Sequence, residues 1–394
     1  MTFIPYFLSI LLFHYFLFLF QIYHDDSAAS FYHFYRVLEC LLRCFPGDVY
    51  ESISADGEIA GRIRRMMRYI GYAPVGESIA MLIALTPVSR MSQLFFLCSK
   101  NRWLFFEQLS QINFMLTLVE IIVYPEEFCY INGYINAEQH SSCATFVLQE
   151  LVEKLSVEET GELLLQPFGY TSQLLEHLID TSLTGSIISI RRSSTKLLCF
   201  LLRRVAESDI LYMVSAGNGA APAPAYVPNR LFPLRDRIIN HIFLRVRSFI
   251  DALENSDSDF NKILEKNKNN DDDHDYEGYY DIIDDDIDVD NEIENEAVTN
   301  FSSETSGFPV QYSSYSVKKP FTVLRSVFVE LITLLVESND SVADCISVEL
   351  WILFIRWTLK YAHNSIFHAI FFRLIYSVLR YAIIIFCFAL ISIF

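Results

Sequence analysis

Residues 64–83 read Arg64-Arg65-Met66-Met67-Arg68-Tyr69-Ile70-Gly71-Tyr72-Ala73-Pro74-Val75-Gly76-Glu77-Ser78-Ile79-Ala80-Met81-Leu82-Ile83, and the fold turns on what Gly71 to Ser78 are. Gly71, four residues, Gly76, Glu77, Ser78 matches a phosphate-binding P-loop at every defined position except the lysine. That lysine holds the β- and γ-phosphates, and Glu77 puts a negative charge in its place. A P-loop also follows a buried strand, whereas Ile63, Met66, Met67 and Ile70 recur at the period of an amphipathic helix. The stretch therefore reads as helix, turn, helix. Gly71 stops the first helix, Pro74 bars immediate continuation, and a second apolar run from Ile79 to Leu85 follows.

Working outward, the same pattern covers most of the chain. Phe31 to Phe45 reads as a helix, closed by Pro46-Gly47-Asp48 as a turn, and one long helix is expected from Trp103 to Val123. Cys143, Phe146, Val147, Leu151 and Leu155 keep helical spacing, and Ser156 is placed to cap a helix beginning at Val157. Leu174 to Ile179 and Ile187 to Val205 are further helices. The arginines of the second, Arg191, Arg192, Arg203 and Arg204, read as a solvated face with favourable charge at the helix end, or as a grip on an acidic partner. Residues 215–229 are a Pro, Gly and Ala loop, and Ile239 to Leu253 is expected as one regular helix of four turns. Helices resume at Phe321, with Leu324, Val327, Phe328, Leu331, Ile332 and Leu335 on one face, and end in a pair, 348–361 and 366–380.

The charge is concentrated in one place. The chain of 394 residues has net charge -18, and residues 251–300 hold 19 acidic and 3 basic side chains. Self-repulsion and scarce apolar surface make 254–318 an acidic disordered insert that interrupts one array. Within it Asp286, Asp288, Asp290, Glu292 and Glu294 alternate like calcium ligands, but Asn291 stands where a glycine is needed and Ala297 where a bidentate glutamate is needed. Ser256 and Ser258, among acidic residues, suit an acid-directed kinase. The remainder has no basic excess, so no nucleic-acid surface is expected.

No catalytic, cofactor or metal site is expected. Cys40, Cys44 and His33 fall short of a zinc site and read as buried free thiols beside an unrelated histidine. The nine histidines have no paired carboxylates or metal spacing, and there is no Gly-x-Ser-x-Gly elbow. The two ends differ from the amphipathic middle. Residues 1–23 carry no Lys, Arg, Asp or Glu, and Tyr381 to Phe394 is equally uncharged. The ends read as membrane anchors, buried terminal helices or apolar sequence wrongly joined to the coding region, the last favoured for 1–30.

Repeated helix pairs without strands define an all-α fold, an armadillo/HEAT-like α-solenoid of roughly 40 to 47 residues per unit. Its expected extent is 31–253 and 319–380, with 381–394 as an apolar tail. Several segments in order resemble the SAPS family, regulatory subunits that associate with type 2A-like serine/threonine phosphatases of the protein phosphatase 6 kind. Arg68-Tyr69-Ile70-Gly71 with Ala80-Met81-Leu82-Ile83 is similar to the family's basic-aromatic-Ile-Gly turn and following helix. Trp103-Leu104 with Leu118-Val119-Glu120-Ile121-Ile122 resembles its Trp-Leu helix. Glu138-Gln139-His140-Ser141-Ser142-Cys143-Ala144 resembles its Asp-Arg-x-Ser-Asn-Ala helix, and Lys360 to His368 its Tyr-x-Trp-Asn-Asn-Phe-Leu-His segment. His140 and Cys143 depart from the family's Arg and Asn, and His363 from its Trp. The resemblance, over about residues 60–380, implies a non-catalytic scaffold in cytoplasm or nucleus that binds a phosphatase catalytic subunit and an ankyrin-type or other adaptor. Glu138, His140, His363, Asn364 and His368 are the implied partner contacts, against a plainer role in stabilising helix junctions. The alternative is a membrane-tethered helical adaptor unrelated to phosphatases.

Overall fold

The computed structural model describes residues 20–23, 30–54, 58–84, 92–128, 137–214, 223–256, 310–311, 316–317 and 321–393. These are mainly helical and fall into two compact units, 1–245 with 333–340, and 246–332 with 341–394. Most of the acidic segment, including Ser258 and the calcium-like run, lies outside the described residues, as do 1–19 of the apolar leader.

The packing of the first unit begins inside that leader. Phe20–Tyr23 forms a buried turn whose Tyr23 stacks on Phe31 at 5.6 Å and meets Phe34 edge-on at 5.1 Å. Helix α1 (Phe31–Cys44) buries Phe34, Leu38 and Leu42, while Cys40 and Cys44 lie exposed, correcting the expectation of buried thiols. The expected turn at Pro46 is instead the start of α2 (Pro46–Ser54). Proline suits a first helical position because the N–H it lacks would have no partner there.

Helix α3 (Ile59–Arg68) and α4 (Ala73–Ala84) give the helix–turn–helix read from the opening stretch, with α4 starting earlier than expected because Pro74 sits in its first turn. Gly76, Glu77 and Ser78 are all helical, and Ser78 is buried with its hydroxyl donating to the Pro74 carbonyl at 2.6 Å. Gly76 marks a close helix approach, since a Cβ there would lie 3.2 Å from Val147.

The single helix expected from Trp103 to Val123 is two, α5 (Ser92–Gln111) and α6 (Phe114–Val123), bent by 51°. The break is Asn113, at φ 53°, a left-handed conformation that asparagine tolerates better than most residues. Seven of the ten residues of α6 are buried, as its dense apolar sequence leads one to expect. Helix α7 (Ala137–Leu155) packs on α4 and α6 and on α9 (Ile188–Ala206), which in turn pairs with α8 (Ser172–Thr184).

Ser156 caps no following helix. Its hydroxyl donates to the Glu153 carbonyl in the last turn of α7. Within 215–229, expected as loop, β2 (Ala223–Pro228) pairs antiparallel with β1 (Asp209–Val214) as a hairpin, in the register Ile210 opposite Val227. The β-branched and aromatic residues of β1 carry it, and two strands alone leave outer edges where Pro224 and Pro228 lack no ladder bond that matters. Helix α10 (Arg235–Phe243) completes the unit's regular elements before residue 245.

One device recurs through these helices. The last four carbonyls of a helix have no intrahelical donor, so a buried helix end needs donors from elsewhere. Arg62 on α3 donates to Ile53 of α2, and Arg102 on α5 to Ile83 of α4. Arg191 on α9 donates to Ser182 and Leu183 of α8, and Arg204 to Glu153 of α7. Arg62, Arg102 and Arg191 are buried. Arg204 is half-buried, and burial draws its pKa below the usual arginine value. The arginines of α9 thus divide, with Arg191 and Arg204 tied into the structure and Arg192 and Arg203 exposed.

In the second unit, the four-turn helix expected to Leu253 is broken at Leu244–Arg245, so that α11 spans only Val246–Glu254. Helix α12 (Val323–Ser338), whose residues from Thr333 on belong to the first unit, buries Leu324, Val327, Phe328, Leu331, Ile332 and Leu335 as its periodicity requires. Arg325 repeats the arginine device within this unit, donating to the Ser256 carbonyl just past α11 and lying 5.3 Å over the Trp357 ring. Helices α13 (Val348–Lys360) and α14 (Ser365–Ile393) enclose an aromatic cluster of Phe321, Phe354, Trp357, Phe367 and Phe371. Residues 381–393, expected as a separate tail, continue α14.

Two substitutions test this account. Arg191→Met leaves one buried and one part-buried carbonyl without this donor and should lower stability by about 2–4 kcal/mol, read from the urea midpoint, with Arg192→Met within about 0.5 kcal/mol of wild type. Asn113→Val should cost about 1–2 kcal/mol, while Asn113→Gly stays near neutral, because only the β-branched residue is strained at positive φ.

Candidate functional site

The residues singled out for partner binding lie in two helix junctions, one in each unit. The first is where the amino end of α7 meets the turn after α3. His140 is fully buried and its Nε2 lies 3.0 Å from the Arg68 carbonyl. The carbonyl can only accept, so the proton sits on Nε2 and Nδ1 is left unprotonated, sealed and without a partner among the described residues. One turn on, the Cys143 thiol donates to the Gly71 carbonyl at 3.4 Å, and between them Ser141 donates to Ile122 at 2.7 Å. Three side chains of α7 thereby close the end of α3, the turn beyond it and the end of α6. Glu138, two residues before His140, is exposed.

Electrostatics here favour neutral groups. Burial pulls the His140 pKa below its ordinary value, and the bond to Arg68 opposes this only in part. Burial also raises the Cys143 thiol, so it is not a ready thiolate.

The second junction is the turn between α13 and α14. Asn364 caps α14, its Oδ1 accepting from the Phe367 N–H at 2.9 Å. His368 Nε2 donates to the Thr358 carbonyl at 3.2 Å and ties the two helices together. His363 is exposed, with its ring 6.3 Å from that of Tyr361. Ser256 is buried, and its hydroxyl donates to Leu253 at 2.7 Å, so it is closed to a kinase while this segment is folded.

The structure therefore divides the five partner candidates. His140, Asn364 and His368 are engaged in holding turns, and Glu138 and His363 face solvent. No group of three or more His, Cys, Asp or Glu suited to a metal ion occurs among the described residues.

Residues not singled out from sequence do more structural work. Arg102 and Glu158 form an ion pair at 2.7 Å with both side chains close to nine-tenths buried. Asn229 is buried and donates to the Arg204 and Glu207 carbonyls while accepting from Leu231, fastening the hairpin to the end of α9. The first unit also holds an open cavity of about 340 Å³ lined by Val123, Pro125 and Ile187 together with Glu126, Glu127 and Asp180. Asp180 is paired with Arg245.

Compared with protein-family models, curated proteins and solved structures, the chain matches none.

The His140 environment predicts a pH dependence. The unfolded chain takes up a proton on this histidine near its ordinary pKa, and the folded chain does so only at lower pH. Stability is thus fully present above about pH 6.5 and falls as pH drops below it, by at most about 1.4 kcal/mol per pH unit from this one group. Urea midpoints measured from pH 8 to pH 5 should show this fall, and His140→Gln should flatten it.

Proposed function

We propose that this chain is a non-catalytic regulatory or scaffold subunit that binds a type 2A-like serine/threonine phosphatase of the protein phosphatase 6 kind and directs it to substrates in the cytoplasm or nucleus. The ordered resemblance of Arg68–Ile83, Trp103–Ile122, Glu138–Leu151 and Lys360–His368 to the SAPS family carries the reading.

Packing lends it support at the level of architecture. In the first unit α4, α7 and α9 pack in succession, while α6 and α8 pack beside them, so each pair rests on the next. That is the contact pattern expected of an armadillo-like array, whose work is to hold partners along a surface. The resembling segments Arg68–Gly71 and Glu138–Ala144 also meet in space, through His140 and Cys143. Two stretches far apart in sequence thus make one junction, which is a reason for them to occur together.

Glu138 and His363 are the contacts we assign to the partner, because both are exposed. Affinity purification of the full chain followed by mass spectrometry should recover a phosphatase catalytic subunit, and the purified chain should release no phosphate from a phosphopeptide. Glu138→Ala and His363→Ala should each weaken capture several-fold with unchanged thermal midpoint. Recovery of no phosphatase would overturn the proposal.

A further inference from the structure

Helices α13 and α14 are apolar on two opposite faces. The inner face of α14 is Phe367, Ile370, Phe371 and Leu374, all buried. On its opposite side Phe372, Tyr376, Leu379 and Ile383 follow at four, three and four residues, and each is more than half exposed. Helix α13 repeats this, with Leu350, Leu353, Phe354 and Trp357 buried and Val348, Ile352, Ile355 and Leu359 forming an outward stripe. A surface helix normally presents polar residues on the face away from its core, and a helix apolar all round belongs in a protein interior or in lipid.

Three observations choose lipid. Helix α14 runs for 29 residues, roughly 43 Å at 1.5 Å per residue, which exceeds the hydrocarbon thickness of a bilayer. Over Ser365–Ile383, the stretch long and apolar enough to cross a membrane, 28% is buried, unlike the core helix of a water-soluble fold. The sequence from Tyr381 onward has no charged residue.

Charge points the same way. In a chain of net charge -18, residues 348–394 carry four basic residues, Arg356, Lys360, Arg373 and Arg380, and one acidic residue, Glu349. Of these Lys360 and Arg380 are exposed, and long basic side chains lay their stems along apolar surface and reach headgroups with their charge. A second copy packed face to face on this surface would instead set these basic residues against their own counterparts.

We propose that α14, together with the outward stripe of α13, inserts into a lipid bilayer bearing anionic headgroups. This stands apart from the phosphatase reading, and either can fail alone. The test is flotation of the full chain with vesicles of phosphatidylcholine, with and without phosphatidylserine, followed by a carbonate wash. The chain should float with both, more strongly with phosphatidylserine by roughly fivefold for each basic residue at the surface, and should resist the wash.

Phe372→Glu and Leu379→Glu should each reduce the partition coefficient into the vesicles by about a hundredfold, with helix content unchanged by circular dichroism. Should a variant lose helicity, the wild-type flotation decides alone. A chain that stays in the aqueous fraction with both vesicles overturns the proposal. So does a variant that floats like wild type, or a soluble dimer that the same substitutions dissociate.

Discussion

A buried helix end is the constraint on which this structure depends. Each helix leaves carbonyls without intrahelical donors, and where helices meet end against side those carbonyls are out of reach of water. Leaving one unsatisfied costs about 1–3 kcal/mol, comparable with burying a large apolar side chain, so packing alone cannot hide it. The chain answers with side chains from neighbouring helices, chiefly arginine. Guanidinium suits the task because its fork of donors reaches two carbonyls at once, as Arg191 does at Ser182 and Leu183. Burying the charge is offset by those bonds, by the negative end of the helix dipole, and at Arg102 by Glu158.

The same logic explains the stretch that resembles a nucleotide loop. Gly71 lies in the turn between two helices, and its carbonyl receives the Cys143 thiol, as Arg68 receives His140. Pro74 and Ser78 belong to the first turns of α4, where the N–H that proline lacks would have no acceptor and the serine hydroxyl donates back to the proline carbonyl. Glycine at position 76 lets α4 and α7 approach closely. Every residue that suggested phosphate chemistry has a place in helix geometry.

Helix existence was largely legible in the sequence, because apolar periodicity reports burial directly. The breaks were less so. Asn113 and Leu244–Arg245 interrupt runs whose periodicity continues on both sides, and one residue in a left-handed conformation leaves little trace in composition. The hairpin was hidden because Pro and Ala in β2 read as loop, and its partner β1 is short. The arginine clamps left a signal that is easy to discount. Arg62 shares the phase of Ile59, Ile63 and Met66, and Arg102 that of Phe105, Phe106 and Leu109, which marks them as buried.

The sequence by itself determined a mainly helical chain, the helix–turn–helix at 59–84, the failure of the phosphate loop at Glu77, and uncharged ends, because these follow from local periodicity and residue chemistry. Tertiary structure decided what periodicity cannot carry. It set which helix end each arginine serves, that His140 and Cys143 close a turn some seventy residues away, and that Cys40 and Cys44 lie outside. It also showed that α13 and α14 keep a second apolar face exposed after the first is packed. The reason is common to all of these: a side chain's partner across a helix junction depends on how helices are brought together, and sequence spacing specifies only the face of its own helix.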